Sequence, residues 1–431
     1  MTYEETLKNI ESLHRFGPRP GLERISKLMD RLGNPQNTLK FIHVAGTNGK
    51  GTTCTLLASV LRCAGYRTGL FVSPHVTDFR ERMQIDGHMI SQQELVSIAD
   101  RVFPIIREME LQGDGVTEFE AVTAMALLWF AQKNCDIVVL EVGLGGRLDA
   151  TNVIPTPLVS VITSISLDHT KILGDTVEQI AYEKCGIIKE NGVTVSYPDQ
   201  DIKALEVIRQ IAAERHNRLV SAATEGIEEV SFSIGGTELN WNDIRLRTPF
   251  LGCHQAKNAA TALSVLSILR ETGYNISNES IVQGFSHAEL PARFEVLSRS
   301  PIVVLDGAHN PDGTAALGKT IRRYLAGKDV VAVMGMMQDK NVDIAVKNLS
   351  GLFSCVITTE PPSPRALPAD VLAQRWRRVG AFAEPAVGYD EALRMADERL
   401  KPDGAVVICG SLYLAGEMRS RALQFWNQSE K

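Results

Sequence analysis

The sequence has no long apolar run, no excess of positive charge and no clustered cysteines, and each absence removes a class of function. The longest apolar stretches, such as 124–131 and 405–409, fall well short of the roughly 20 residues a membrane-spanning helix needs. Basic residues number 45 against 51 acids, a formal charge of −6, which argues against a nucleic-acid surface as the main partner. The seven cysteines (54, 63, 135, 185, 253, 355 and 409) stand singly, without a C-x-x-C or any metal-type spacing. They read as reduced core residues of a cytoplasmic protein. The opening MTYEETLKNIESLH is acidic and lacks the apolar segment of an export signal. No internal repeat or low-complexity segment is visible, which removes solenoid architectures.

What is present begins with HVAGTNGKGTT at 43–53, set between a strand-like run (39–45) and a helix-like run (52–64). Gly46, Gly49 and Gly51 let backbone N–H groups turn inward around a phosphate. Lys50 supplies positive charge, and Thr52 or Thr53 can hold Mg²⁺. The general P-loop pattern is met imperfectly: Val44 stands at the first glycine position, and Gly51 separates the lysine from the hydroxyl. A tight strand–helix connection would use the same glycines, but the strand, lysine and threonines in order favour a cradle.

Strand runs at 40–45, 68–72, 136–141, 158–162 and 192–196 alternate with helical patterns at 52–64, 92–108, 120–132, 176–186 and 202–216. This alternation predicts a largely parallel α/β sheet. Segments 228–234 and 238–247, joined by Gly235-Gly236, predict a small antiparallel addition. Helices are expected at 254–272 and 279–285. A second α/β series has strands at 301–305, 329–333, 354–358 and 405–409, with helices at 313–324, 342–349, 368–378, 389–400 and 412–425. The expected organisation is an N-terminal P-loop domain, residues 1–293, and a smaller Rossmann-like α/β domain, 294–431, joined by a hinge at 290–297. A cleft between two such domains is a favoured ligand site.

Three further groups stand at strand ends, where open parallel sheets bind ligands. Glu141 closes a buried strand and precedes VGLGGRLDATN, well placed for a metal as a Walker-B acid is, although an N-cap or surface carboxylate is the bland alternative. Asp168 and His169 end SISLDH, where a structural histidine is the alternative. Ser73-Pro-His75 follows the strand at 68–72 and alone suggests only a rigid turn.

GTNGKGT, SPH, ERMQIDG, FEAVTAMAL, LEVGLGGRLDATN, SLDHTKILGDT, YEKCGIIK, HQAKNAATA, LPARFE, DGAHNP and GSLYL occur in this order along nearly the whole chain. In this the sequence resembles the folylpolyglutamate synthase/dihydrofolate synthase family of Mur-ligase-like, ADP-forming amide ligases. GTNGKG[ST] is that family's own variant of the loop.

The resemblance implies a detailed site. Asn48, Gly49, Lys50, Gly51 and Thr52 would bind the ATP phosphates, Asn258 the base, and Arg293 and Asp306 would contact nucleotide from the hinge and second domain. Thr52, Ser73, Glu141, His169 and Lys184 would serve as ligands for Mg²⁺, with two ions expected. Lys184 matches the family's carbamylated lysine, although the sequence alone gives only an ordinary helix lysine. His309 and Ser411 would hold the incoming L-glutamate. Gly21, Leu22, Thr117, Glu118, Phe119, Glu120, Leu148, Asp149 and Ala150 would line the pterin site. Lys50, Lys184, His169, Arg293 and His309 are the implied catalytic set. The implied reaction joins L-glutamate to dihydropteroate, to reduced folates, or to both, through an acyl phosphate made from ATP, and a monomer is the expected state.

Three rival classes are weaker. A cell-wall Mur ligase usually carries a nucleotide-sugar domain before the P-loop, and only 42 residues precede His43. A plain P-loop switch leaves DGAHNP and the second domain unexplained, and a non-enzymatic binding protein, the bland alternative, would be excluded by ADP and phosphate release that requires both a pteroate-type acceptor and glutamate.

Overall fold

The structure, a computed structural model, describes residues 1–17 and 19–427, so the last four residues of the expected second domain lie outside it. Strands β1 (Phe41–Ala45), β2 (Thr68–Phe71), β3 (Met83–Ile85), β4 (His88–Met89), β5 (Ile137–Glu141), β6 (Val159–Ile162), β7 (Val193–Ser196) and β8 (Arg218–Ser221) form one sheet. Its order is β4-β3-β2-β5-β1-β6-β7-β8, parallel except for the β2/β3 and β3/β4 pairs. Its central strands are buried on both faces. Phe41, Phe71, Val138 and Leu140 pack under the helices Gln92–Leu111 and Glu118–Gln132. Ile42, Val44, Leu70, Ile137 and Val139 pack under Lys50–Cys63 and Cys253–Glu271. Two covered faces explain why these strands read as unbroken apolar runs rather than alternations.

Strands β9 (Ile227–Ser233), β10 (Gly236–Trp241) and β11 (Ile244–Thr248) form a separate antiparallel sheet. The sequence predicts one strand over 238–247; the chain instead reverses at Asn242 and Asp243, both left-handed at φ 47° and 65°. Asn and Asp tolerate that conformation, so a two-residue turn needs no glycine to announce it.

The third sheet holds β12 (Glu295–Arg299), β13 (Ile302–Leu305), β14 (Val330–Met334), β15 (Cys355–Thr358), β16 (Ala383–Pro385) and β17 (Ala405–Cys409). Its order is β12-β13-β17-β14-β15-β16, parallel apart from β12. The edge strands β4, β8, β12 and β16 and the short β3 beside β4 are absent from the sequence reading, as are the helices Tyr3–Ser12 and Glu23–Arg31. β12 changes the expected connection at 290–297, because its first residues, from Glu295, pair with β13 and only 290–294 lie outside helix and strand. The chain is therefore a P-loop-type, largely parallel α/β unit with a small antiparallel addition, followed by a smaller α/β unit.

The small antiparallel sheet and the loop after it meet the second α/β unit along several contacts. The Tyr324 hydroxyl, at the end of the helix Pro311–Tyr324, lies 3.3 Å from Thr237 Oγ1 and accepts from Gly252 N at 3.4 Å. Arg323 pairs with Glu229 on β9. These contacts seat the small sheet on the second unit and leave a cleft beside it.

Candidate active site

The cleft, about 510 Å³, is lined from one side by Gly46 to Thr52 and from the other by Arg293 and Asp306 to Asn310. Its floor is the turn after β1. Gly46 sits at φ 151°, and a Cβ there would lie 1.7 Å from Thr163 Oγ1, so the close approach of β1 to β6 admits only glycine. Thr47 N donates to Ser164 O at 2.7 Å, pinning the loop to the end of β6. Gly49 caps the helix Lys50–Cys63, whose first-turn N–H groups and dipole favour an anion at the loop. Lys50 Nζ arches over the turn to Gly46 O (3.1 Å) and Thr47 O (3.3 Å). Of the two threonines left open by the sequence, Thr52 lines the cleft and Thr53 does not. Asn258 lies against the loop, since a Cβ on Gly49 would come 2.4 Å from its Oδ1, and its amide donates to Gln255.

Ser73, Glu141, His169 and Lys184 line the same cleft. Glu141 ends β5, is buried, and accepts from Ser73 N at 3.0 Å. Burial pushes its carboxyl pKa up, opposed by Lys50, the Ser73 N–H and Arg293. His169 is left-handed at φ 50°, with Nε2 4.0 Å from Asp168 Oδ1; burial and then Lys340 lower its pKa. Lys184 ends the helix Val177–Lys184, is buried, and donates to Gly46 O at 2.7 Å. Burial and Lys50 bring its pKa down to about 7.

These donors fit a hard divalent cation. Glu141, Ser73 and Thr52 offer oxygens, and no group of three His, Cys, Asp or Glu is assembled among the described residues. That sparse set suits Mg²⁺, which takes one or two protein oxygens and completes its shell with phosphates and water. Lys184 fits carbamylation on separate grounds, because a buried amine with a pKa near 7 is substantially unprotonated and able to add CO₂.

On the opposite wall, Asp306 follows β13 and accepts from Phe294 N and Ala308 N, both at 2.8 Å. It thereby holds the connection, in which Ala292 and Phe294 are left-handed at φ 56° and 47° on either side of Arg293. Non-glycine residues persist in that conformation only where surroundings fix them, and Asp306 does so here. Arg293 Nη1 donates to Ala292 O at 3.1 Å. His309 Nδ1 is 2.9 Å from Gly307 O, which places the ring proton on Nδ1 and leaves Nε2 as an acceptor. Burial, then Lys340, lower the His309 pKa to about 4. Ser411 is buried, its hydroxyl accepts from Tyr413 N, and it is not among the cleft-lining residues.

The residues expected at the pterin site lie behind Gly143 and Leu144, outside this cleft. Several are committed to local structure. Thr117 and Glu120 form the capping box of the helix Glu118–Gln132, and Glu120 also pairs with Arg24 at 3.0 Å. Asp149 is buried and accepts from Leu144 N (2.8 Å), Thr151 N (3.0 Å) and Thr151 Oγ1 (2.5 Å). Its carboxylate thus clamps its own loop. Ala150 and Gly21 are buried, and Leu22 and Leu148 are half-buried. Phe119 stacks 6.0 Å from Phe71 and abuts Gly143, while Glu118 keeps 18% of its side-chain surface.

Sequence reasoning missed the groups that bridge the cleft. Lys340 Nζ donates to Asp168 Oδ1 at 3.0 Å, and Asn310 Nδ2 donates to Asp168 Oδ2 (2.9 Å) and Asn48 Oδ1 (3.0 Å). Burial raises the Asp168 pKa, but Lys340, His169 and Asn310 outweigh it and hold the carboxyl well below the usual range. Asn310 belongs to DGAHNP and carried a signal; Lys340, in MQDKN, carried none beyond its place after a strand.

Comparisons agree with this geometry. Residues 44–266 match the Mur ligase middle domain and 292–412 the Mur ligase glutamate ligase domain. A dihydrofolate synthase/folylpolyglutamate synthase of Bacillus subtilis is 36% identical over 432 residues, covering 97% of this chain and 99% of the relative. A probable bifunctional folylpolyglutamate synthase/dihydropteroate synthase of Haloferax volcanii is 36% identical over 431 residues, and the chain spans about half (50%) of that relative's length. The crystal structure of Mycobacterium tuberculosis folylpolyglutamate synthase complexed with ADP and AMPPCP superposes with a TM-score of 0.88 at 33% identity, covering 97% of this chain and 98% of the other. The chain belongs to the folylpolyglutamate synthase/dihydrofolate synthase family, within the Mur ligases.

Proposed function

We propose that this chain is an ADP-forming ligase that joins L-glutamate to dihydropteroate and to reduced folates. The observation that carries the reading is the convergence in one cleft of a phosphate cradle, a buried acid, a buried lysine and a wall from the second unit. The Bacillus subtilis relative, matched end to end and named for both activities, supports the bifunctional form.

Amide formation from a carboxylate in water is uphill, so the acceptor is activated first. Its carboxylate oxygen attacks the γ-phosphorus of ATP, ADP leaves, and an acyl phosphate remains. The amine of L-glutamate then attacks the acyl carbon, phosphate leaves, and the nitrogen gives up a proton. Phosphoryl transfer depends mainly on positioning and charge neutralisation. The loop N–H groups and Lys50 hold the phosphates, with Asn48, Gly49, Gly51 and Thr52 around them. Arg293 reaches the nucleotide from the connection and Asp306 from the second unit, and Asn258 borders the base. Thr52, Ser73, Glu141 and His169 would hold Mg²⁺, whose charge offsets that of the phosphates; carbamylated Lys184 would provide for a second ion. His309 Nε2 accepts a hydrogen bond from the incoming amine, and Ser411 acts from behind it. Glu118, Phe119, Leu22 and Leu148 form the acceptor's wall.

An acyl phosphate hydrolyses if water reaches it, so closure of residues 294–431 over 1–293 about the 290–297 connection protects it. The protein acts as a cytoplasmic monomer, in keeping with seven cysteines that are all unpaired. Among the described residues no helix is long and apolar enough to cross a membrane. The test is release of ADP and phosphate with each acceptor. Release that requires both acceptor and L-glutamate supports the reading, and release indifferent to either rejects it.

A further inference from the structure

Arg82, just before β3, is a cation without an adequate partner. Only 11% of its side-chain surface is exposed. Its Nε donates to His75 Nδ1 at 3.0 Å, and its guanidinium carbon lies 5.4 Å from the Phe79 ring centre. Among the described residues that is its one side-chain hydrogen bond. The nearest acid, Glu118, stands 3.7 Å from Nη1, beyond hydrogen-bond reach. The outer nitrogens are not among the enclosed, unpartnered polar atoms, so they open onto accessible space. A nearly buried guanidinium with two free NH₂ groups costs stability unless an anion completes it.

Its position says which anion. Arg82 O accepts from Val72 N at 3.2 Å, and the residue after Val72, Ser73, donates to Glu141 in the cleft. Glu118 leads into Phe119, whose ring packs on Phe71 and Gly143. Arg82 therefore stands between the acceptor's wall and the phosphate cradle, on the first unit rather than the second.

We propose that the outer nitrogens of Arg82 bind the α-carboxylate of an acceptor that already ends in glutamate, leaving its γ-carboxylate to react. The proposal rests on the folate-ligase reading above. A planar fork on a carboxylate is the arrangement a guanidinium favours. His75 fixes the fork by accepting from Nε, and Glu118 limits its affinity by competing for it. Dihydropteroate has only the carboxylate that reacts and gains nothing from Arg82, so this residue sets the preference between the two acceptor classes.

The test is equilibrium titration of the ADP-loaded protein with tetrahydrofolate and with dihydropteroate, reading the ratio of the two dissociation constants. Arg82→Gln should shift that ratio against tetrahydrofolate by about 10- to 100-fold, the usual range for a hydrogen-bonded charged partner. Arg82→Lys should recover part of the shift. Glu118→Gln should move the ratio the other way, and it decides the matter if Arg82→Gln does not fold. An unchanged ratio in both variants overturns the proposal, as does a raised KM for L-glutamate with the ratio intact. A wild-type protein that binds neither acceptor overturns the folate-ligase reading itself and this proposal with it.

Discussion

Lys184 allows a prediction with both a chemical and a thermodynamic readout. An ordinary lysine, at 10.5, is unprotonated in about one molecule in 3,000 at pH 7; at about 7 it is unprotonated in about half, roughly a thousandfold more of the form that adds CO₂. The same displacement fixes a stability sign. Between pH 7 and 10.5 the unfolded chain binds a proton that the folded chain does not, so stability should rise with pH across that window. The full effect is on the order of 5 kcal/mol, present as a penalty below pH 7 and gone above 10.5. Lys184→Met should therefore unfold at higher denaturant than wild type at pH 7 in CO₂-free buffer, and should lose most of the rise toward pH 10.5. The wild type should take up ¹³C-bicarbonate as a carbamate signal by NMR that the variant lacks. Lys184→Ala should lose nearly all ligase turnover, and high bicarbonate should restore part of it. A wild type with no pH slope in that window, no ¹³C signal, or a variant that turns over near wild type would refute the reasoning.

Other expectations follow from the cleft. Arg293→Ala should lower kcat more than it raises KM, because its contact with nucleotide matures on closure; a raised KM at unchanged kcat would make it a simple binding residue. Lys340→Met leaves the half-buried Asp168 carboxylate without its cation, so it should weaken nucleotide binding or turnover at least tenfold, by about 1.5–3 kcal/mol, in steady-state ADP release. Because Lys340 is foremost among the groups that hold the Asp168 carboxyl below its usual range, that variant should also lose activity at a higher pH on the acid side. Gly46→Ala should be destabilised by more than about 2 kcal/mol and fail to bind ATP, since its Cβ meets Thr163 at φ 151°.

The sheet interiors and the long helices are legible because burial on both faces writes continuous apolar strands, as in β1 and β5, which alternate with helical patterns. The edge strands are not, since β12 and β16 carry few apolar residues and owe their pairing to neighbours distant in sequence. Within the site, the loop at 43–53, Glu141 and the strand-end His169 could be read from position alone. Lys184 could not, because it is buried against a cleft wall whose Gly46, to which it donates, lies 138 residues away in sequence. Asp149 entered only through the family resemblance, and its hydrogen bonds to Leu144 and Thr151 are local ones that the sequence did not announce. Lys340 and Asp168 meet only after folding, 172 residues apart, so no local pattern could join them.

The central claim is that this cleft couples ATP cleavage to glutamylation. One assay tests it directly: purified protein with ATP, Mg²⁺, L-glutamate and either dihydropteroate or tetrahydrofolate, with ADP quantified alongside the mass of the pterin product. The account predicts one ADP for each added glutamyl unit, on both acceptors, and none when either acceptor or L-glutamate is left out. ADP release without glutamylated product, or a product that forms without ATP, would contradict it.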